Sequence, residues 1–433
     1  MEIETFAMKA LLYMTLAFMF VLFFITIMVI VMYIADVTQT KHTIRRNYPV
    51  VGRFRYILEH MGEFFRQYFF ALDRDELPFN RAQRSWVYRA AKDVNRNIPF
   101  GSTRDNTQNG TIIFLNSAFP TLTEDATDCQ PMVIGPNCPK PYTAKSFFNI
   151  SGMSYGALSK PAVQALSYGA KKANCWMNTG EGGLSPHHLS SGCDIVMQIG
   201  TAKYGVRDKE GNLSDEKLKE CAANEQVRMF EIKLSQGAKP GKGGILQGEK
   251  VTDEIAKIRG IEVGQDSISP NGHPDIRNVG DLLDMISKVR NATGKPVGFK
   301  AVLGDTTWVD DLFDLIKVRG LDSAPDFITL DSSNGGTGAA PQPLMDYMGL
   351  QVEDTLPWLV SHLKGHGLRD RIKVIVSGKM VTPSRVAWAL CMGADFVVSA
   401  RGFMFALGCI QSLQCNNNTC PTGITTHDPK LQR

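Results

Sequence analysis

The chain has 433 residues, 43% of them hydrophobic, which is enough for one large domain with additional segments. Its net charge of +4 is small for that length and gives no electrostatic case for nucleic-acid binding. Nine cysteines, an odd number, and no export-type leader argue against a disulfide framework and for reduced thiols, some of them metal ligands.

Between Lys9 and Asp36 no charged residue occurs, and the run ALLYMTLAFMFVLFFITIMVIVMYIA predicts one helix. At about 1.5 Å per residue it crosses a roughly 30 Å hydrocarbon core with room to tilt. A signal peptide or a buried core helix would be the plain alternatives. Signal peptides carry a basic leading region, a shorter apolar stretch and small residues at a cleavage site. Here the flank holds Glu2, Glu4 and Lys9, and the apolar run is too long. Residues 1–40 therefore read as a retained transmembrane anchor. Lys41, Arg45, Arg46, Arg53 and Arg55 follow, and the positive-inside rule places the large C-terminal part in the cytoplasm.

Residues 41–145 form a membrane-proximal helical connector and an irregular cap. RFRYILEHMGEFFRQYFF and FNRAQRSWVYRAAKD interleave arginine with aromatic residues, the pattern of amphipathic helices near anionic headgroups. Nucleic acid is the weaker reading, and packing on the barrel a third. From about Asn97 the chain is rich in Gly, Pro, Asn, Thr and Asp with little periodicity. Cys129 and Cys138 lie there without a second pair, which suits free thiols better than zinc.

Over residues 146–433 short apolar runs alternate with helical patterns. FFNISG, NCWMNTG, MFEIKLS, PVGFKAVLG, DFITLDSS, KVIVSGK and DFVVSA each end in small or polar residues, and a less distinct strand is expected near residues 265–269. Continuous apolar strands alternating with helices indicate parallel pairing with both faces covered. The expected fold class is α/β, a (β/α)8 TIM barrel behind one transmembrane helix, with a doubly wound open sheet as the structural rival. A barrel predicts that chemistry gathers at the C-terminal strand ends, and the polar, Gly-rich motifs do fall there.

SGMSYGALS, after the first strand, lets a flat ring approach the backbone, with Met153 as a soft contact. NTGEGGLSPHHL sets Glu181 among glycines; adjacent His187 and His188 would face opposite sides of a strand and read as polar loop residues. KLSQGAKPGKGG brings Lys233, Gln236, Lys239 and Lys242 into one loop, suited to an anionic substrate such as a dicarboxylate. Lys300 lies inside an apolar strand and should meet an electron-rich cofactor at the barrel mouth. DSSNGGTGAAP, SGK and SARGFM end the last three strands and suit a phosphate cradle. No G-x-G-x-x-G follows a strand, so the cradle with an interior lysine points to flavin mononucleotide (FMN) rather than a nicotinamide. Finally, Cys409, Cys415 and Cys420 stand on a C-x5-C-x4-C spacing, where soft thiolates could hold an iron–sulfur cluster, zinc or copper(I).

GEGG, QGAKPGKGG, SPNGHPDI, LDSSNGGTGAAP and ALGCIQSLQCNNNTCPTG, in this order, resemble the FMN-binding synthase domain of glutamate synthases. The resemblance runs over about residues 147–426 and is nearest to short members of that family with a membrane segment. It implies an FMN-holding barrel that forms glutamate from a 2-oxo acid, 2-oxoglutarate, and ammonia through 2-iminoglutarate. It implies flavin contacts at Met153, Ser154, Lys300, Gly336, Gly338, Ser377, Gly378, Arg401 and Gly402, and substrate contacts at Glu181, Lys233, Gln236, Lys239 and Arg259. Lys300 and Glu181 would be the catalytic residues. The three cysteines would bind a 3Fe-4S cluster fed by an external electron donor protein beside the lipid membrane; a position behind the flavin-phosphate turn, with three ligands, argues against structural zinc.

Three departures accompany the resemblance. A glutaminase domain would need an N-terminal cysteine, yet residue 2 is Glu and the first Cys is Cys129. The chain stops at Arg433, leaving no room for the family's C-terminal β-helix domain. Ile245 replaces the family's substrate-binding glutamine, with Gln247 two residues on. That last change favours, as a second reading, another 2-oxo, imino or hydroxy acid. A non-catalytic electron-transfer or assembly component at the membrane is the third.

Overall fold

In the computed structural model residues 2–95 and 97–432 are described; Met1, Arg96, Arg433 and the side chains of residues 2–5 lie outside the description. The flank residues Glu2 and Glu4 and the outer bounds at 1 and 433 fall there. The chain divides into two compact units, Met1–Ala82 and Gln83–Arg433.

The first unit is built on the helix Glu2–Thr38. Within its stretch Phe6–Thr38 an 18-residue window has a mean hydropathy of 2.8 and none of that window is buried, so the helix is long and apolar enough to cross a membrane. Asp36 stops the apolar run and is only 1% exposed, because Arg53 grips it from two sides, Nη2 to Oδ1 at 2.8 Å and Nε to Oδ2 at 2.9 Å. The Val50 N–H adds a third bond, at 3.0 Å. This clasp ties the foot of the long helix to the helix Gly52–Phe65, which continues through a π-helical turn, Arg66–Phe70. Phe54, Leu58, Phe69 and Phe70 on that segment are exposed.

The second unit is a barrel. Its strands are β1 Phe148–Ile150, β2 Met177–Asn178, β3 Ile195–Ile199, β4 Val227–Lys233, β5 Val297–Val302, β6 Phe327–Asp331, β7 Lys373–Val376 and β8 Phe396–Ser399. Each pairs in parallel with its chain neighbour, and β8 closes on β1 through Val397 opposite Phe148. Closure removes both sheet edges and agrees with the expected (β/α)8 barrel over the open sheet.

One expected strand is replaced. The region 265–269 contributes only Ser267–Ile268, which pairs antiparallel with Ile245–Leu246 outside the barrel. The barrel strand is instead IVMQI at 195–199, all five residues buried. It escapes a strand–helix alternation because β2 and β3 are joined by turns with no α-helix between them. For the same reason His187 and His188 lie in a turn rather than on a strand.

Local chemistry sets the helices that alternate elsewhere. Lys160–Ala173 starts where the Ser159 hydroxyl accepts the Ala162 N–H, carries Pro161 in its first turn, and ends at Asn174 in the left-handed conformation. The N-terminal end of the barrel is closed by a hairpin, Met132–Ile134 with Tyr142–Ala144, whose Ile134 and Tyr142 join Trp176, Phe327 and Phe396 in one apolar cluster. Each such side chain contributes about 1.5–3 kcal/mol of burial. With that end filled by hydrocarbon, polar side chains collect at the other.

Candidate active site

Four strands send a polar layer into the barrel above that cluster. Glu231 on β4, 3% exposed, accepts Asn178 Nδ2 from β2 at 2.8 Å, Gln198 Nε2 from β3 at 2.7 Å and the Thr329 hydroxyl from β6. Asn178 Oδ1 also accepts the Gly180 N–H at 2.9 Å. Three donors satisfy a side chain that burial would otherwise leave without partners.

Next to it stands Lys300 on β5, whose Nζ is 3.4 Å from Asp331 Oδ2 at the end of β6. Burial works to lower the Lys300 pKa, but Asp331 and Glu231 outweigh it and raise the value above the ordinary one. Asp331 is held low in turn: burial opposes ionisation, and Lys300, the Gly237 N–H and Ser377 more than offset it. Lys300 and Ser377 thus meet at one carboxylate that sequence reading had not singled out. Glu231, Gln198 and Asn178 were likewise missed; the available signal was a polar residue next to buried apolar ones in each strand.

A second cluster sits beside the first. Glu181, in the 3-10 turn Gly180–Gly182 after β2, lies 3.0 Å from Lys233 Nζ at the tip of β4. Burial alone would raise the Glu181 pKa; Lys233, Lys239 and Arg259 together bring it down to about 2. Gln236 accepts a hydrogen bond from Lys233 Nζ. Lys239 is buried and its pKa falls to about 8, mainly through desolvation, with Glu181 pulling it back. Lys242 is exposed and stays outside the cluster.

Arg259 closes the helix Asp253–Arg259, where Nη1 donates to Ser267 Oγ at 3.1 Å and Nη2 to the Tyr155 carbonyl at 3.4 Å, with the guanidinium over the Tyr204 ring. It is therefore braced by the loop around the cluster while lending its charge to Glu181. The glycines of this region serve close approach. A Cβ on Gly244 would come within 2.6 Å of Glu181 Oε1, and one on Gly237 would overlap the Ser332 carbonyl. The lysine-rich loop is thus packed against β6 rather than free.

Met153 and Ser154, after β1, lie against bare backbone: a Cβ at Gly180 would reach Ser154 N at 2.8 Å. His188 holds this loop through Nε2 to the Met153 carbonyl at 2.9 Å, and burial pushes its pKa down to about 4, leaving it neutral. His187 pairs with Glu254 at 2.9 Å. Both histidines serve the loop.

At the ends of β6–β8, Arg401 donates to the Asn334 carbonyl at 2.7 Å and packs over Gly336, whose Cβ would approach its Nε to 2.7 Å. Burial lowers the Arg401 pKa to about 10, and Lys379 is lowered first by burial and then by Arg401 and Arg385. Gly378 has φ +118°, and a Cβ there would meet Ser332; one on Gly402 would meet Ser399 Oγ; Gly338 faces open space. Two half-buried cations beside bare backbone fit a phosphate. The whole set fits FMN: a phosphate end at Arg401, Lys379 and Gly378, and a charged Lys300 for the ring.

The three thiols occupy one loop after the helix Arg401–Ala406. Cys409 Sγ accepts the Gln411 N–H at 3.5 Å, and Tyr88 Oη donates to the Cys409 carbonyl at 2.5 Å. Burial lifts Cys409 to about 11, and Cys415 and Cys420 add to that. Burial also acts on Cys420, yet hydrogen bonds from Thr422 and Thr425 bring it down to about 7. Lys250 Nζ is buried nearby; desolvation lowers it to about 8, and Cys415 and Cys420 pull it back. Among the described residues no three His, Cys, Asp or Glu side chains close to metal-holding distance. The fit to an iron–sulfur cluster is one of donor kind: three soft sulfurs in a shared field, with N–H and O–H donors directed at them.

The family description "Conserved region in glutamate synthase" matches residues 108–433, and so begins within the segment before the barrel. The chain is 42% identical to the glutamate synthase large subunit-like protein YerD of Bacillus subtilis, over 93% of this chain and 83% of that protein. It is 34% identical to an archaeal-type glutamate synthase [NADPH] of Thermotoga maritima, over 65% of this chain and 52% of that enzyme, so it spans about half the length of such relatives. A flavocytochrome b2 mutant with benzoylformate superposes loosely, with a TM-score of 0.44 and 16% identity over 69% of each chain, and adds nothing to the barrel already seen. With three quarters of its length inside the conserved region, the chain belongs to the glutamate synthase family.

Proposed function

We propose that this protein is an FMN-dependent oxidoreductase of glutamate synthase type that converts 2-oxoglutarate and ammonia to glutamate through 2-iminoglutarate. The observation that carries the reading is the pairing of two charged clusters at one barrel mouth: Lys300 held cationic by Asp331 and Glu231, and Glu181 ringed by Lys233, Lys239 and Arg259. When bound, FMN supplies hydride to the imine carbon. Lys300 places a fixed positive charge where the ring gains electron density. Lys233, Lys239 and Gln236 take the substrate carboxylates, and Arg259 keeps their loop in register. Glu181, ionised down to about pH 2, accepts an N–H from ammonium or imine and orients that nitrogen. Met153, Ser154, Gly336, Gly338, Ser377, Gly378, Arg401 and Gly402 line the flavin.

Cys409, Cys415 and Cys420 hold a 3Fe-4S cluster that passes electrons from an external donor protein. The helix Glu2–Thr38 spans the membrane once, with the barrel in the cytoplasm, as the basic residues behind it favour. Ile245 supports a second substrate reading. It pairs with Ile268 and directly follows Gly244, the glycine pressed on Glu181, so an apolar residue stands in the chain where the resemblance expects a carboxylate-binding glutamine.

Anaerobic purification tests the cofactors: protein lacking flavin absorbance and iron would remove both. The substrate is tested by reoxidation of photoreduced flavin with 2-oxoglutarate plus ammonium, and no acceleration over buffer would give the place to another 2-oxo, imino or hydroxy acid. Cys415→Ser should lower iron content and leave flavin bound, since the two groups use different ligands. Joint loss of flavin would instead assign the cysteine loop a structural role.

A further inference from the structure

Lys250 ends the 3-10 turn Gly248–Lys250, two residues before the cap of the helix Asp253–Arg259, and is 2% exposed. Its Nζ donates to the Ala157 carbonyl and to the Cys415 carbonyl, each at 3.0 Å. The first belongs to the loop after β1 that carries Met153 and Ser154; the second belongs to the cysteine loop, 165 residues away in sequence. One buried side chain therefore ties the proposed flavin loop to the proposed cluster loop.

The active-site lysines meet carboxylates, Lys233 with Glu181 and Lys300 with Asp331. Lys250 has a different surrounding: its Nζ donates to backbone carbonyls, those of Ala157 and Cys415, and meets no carboxylate among the described residues. Two carbonyl dipoles solvate an ammonium only in part, and an unmatched buried charge costs several kcal/mol. Anionic sulfur in the adjoining loop would offset that cost.

We infer that Lys250 is the counter-charge of the cysteine loop, a positioning residue that locks this loop to the flavin loop and holds the cluster's reduction potential up. The inference rests on the iron–sulfur reading given above. Each electron that enters a thiolate-bound cluster adds negative charge, so a fixed cation against the cysteine loop stabilises the reduced form over the oxidised one. The bond to the Ala157 carbonyl fixes where that cation stands.

The test uses the full-length protein, purified anaerobically, as wild type, Lys250→Met, Lys250→Arg and Lys250→Gln. Iron and flavin are counted, and the cluster's midpoint potential is followed by its paramagnetic signal. Lys250→Met should keep its flavin and shift the potential downward by about a tenfold change in the reduced-to-oxidised ratio, which is about 59 mV for one electron. Lys250→Arg, which keeps the charge, should return most of that shift. A Lys250→Met protein with full iron and the wild-type potential would overturn the inference. Should Lys250→Met lose its iron, the decision passes to the other pair: iron kept by Lys250→Arg and lost by Lys250→Gln supports charge matching, and loss from both refutes it. Wild-type protein without iron would instead remove the iron–sulfur reading, and this inference with it.

Discussion

The two clusters at the barrel mouth have opposite charge balances. Around Lys300 one cation faces two carboxylates, Asp331 and Glu231. Around Glu181 one carboxylate faces Lys233, Lys239 and Arg259. The first arrangement keeps its lysine charged across the physiological range, as a permanent electrostatic fixture. The second has cations to spare, with Glu181 standing among them as a substrate carboxylate would. Charge surplus, rather than residue type, separates the proposed cofactor end from the proposed substrate end.

Breaking the first balance should have the largest effect. Lys300→Met leaves two buried carboxylates facing each other, and removing one partner of a buried pair costs about 3–5 kcal/mol. Urea unfolding should report that loss and the flavin-to-protein absorbance ratio should fall; full flavin with an unchanged unfolding midpoint would mean that Lys300 carries no such role. Glu181→Gln keeps the shape of the second cluster but removes its only anion. Turnover of 2-oxoglutarate with ammonium should drop by about 10²-fold or more while flavin stays bound, the range for a lost catalytic acid–base group.

A smaller effect tests the surplus itself. Lys239→Met should raise the KM for 2-oxoglutarate at least tenfold with little change in kcat, since a charge-assisted hydrogen bond contributes about 1.5–3 kcal/mol. The sign of its pH dependence follows from a pKa lowered by burial to about 8. Below that value Lys239 is cationic and the carboxylate is held; as pH climbs through it the proton leaves and KM rises. The Met variant should show no such rise. Ile245→Gln should give the smallest change, within about tenfold, lowering KM if 2-oxoglutarate is the substrate. A higher KM, or a gain with some other acid, would point to a pocket shaped for a different ligand.

Much of this architecture could be read along the chain. The uncharged run after Lys9, Lys300 inside VGFKAV and the spacing of Cys409, Cys415 and Cys420 are all patterns between near neighbours. Two features were not readable in that way. Strand β3 follows β2 without a helix, so the alternation that marks the other strands is silent there, while 265–269 has strand-like composition but finds its partner in Ile245–Leu246. Glu231, for its part, is a single acid in its strand, with nothing near it in sequence to explain it. Its meaning comes from Gln198, Asn178 and Thr329, which are 33, 53 and 98 residues away.

The sequence by itself therefore determined the long apolar helix, the barrel class and the identity of the cations and thiols, because periodicity, hydropathy and motif spacing are properties of residues near one another in the chain. Only the tertiary structure decided which cation answers which anion: Lys300 to Asp331, Lys233 to Glu181, and Lys250 to two carbonyls beside the cysteine loop. Coulomb and hydrogen-bond energies depend on separation in space, and barrel closure brings together strand ends that are far apart in sequence.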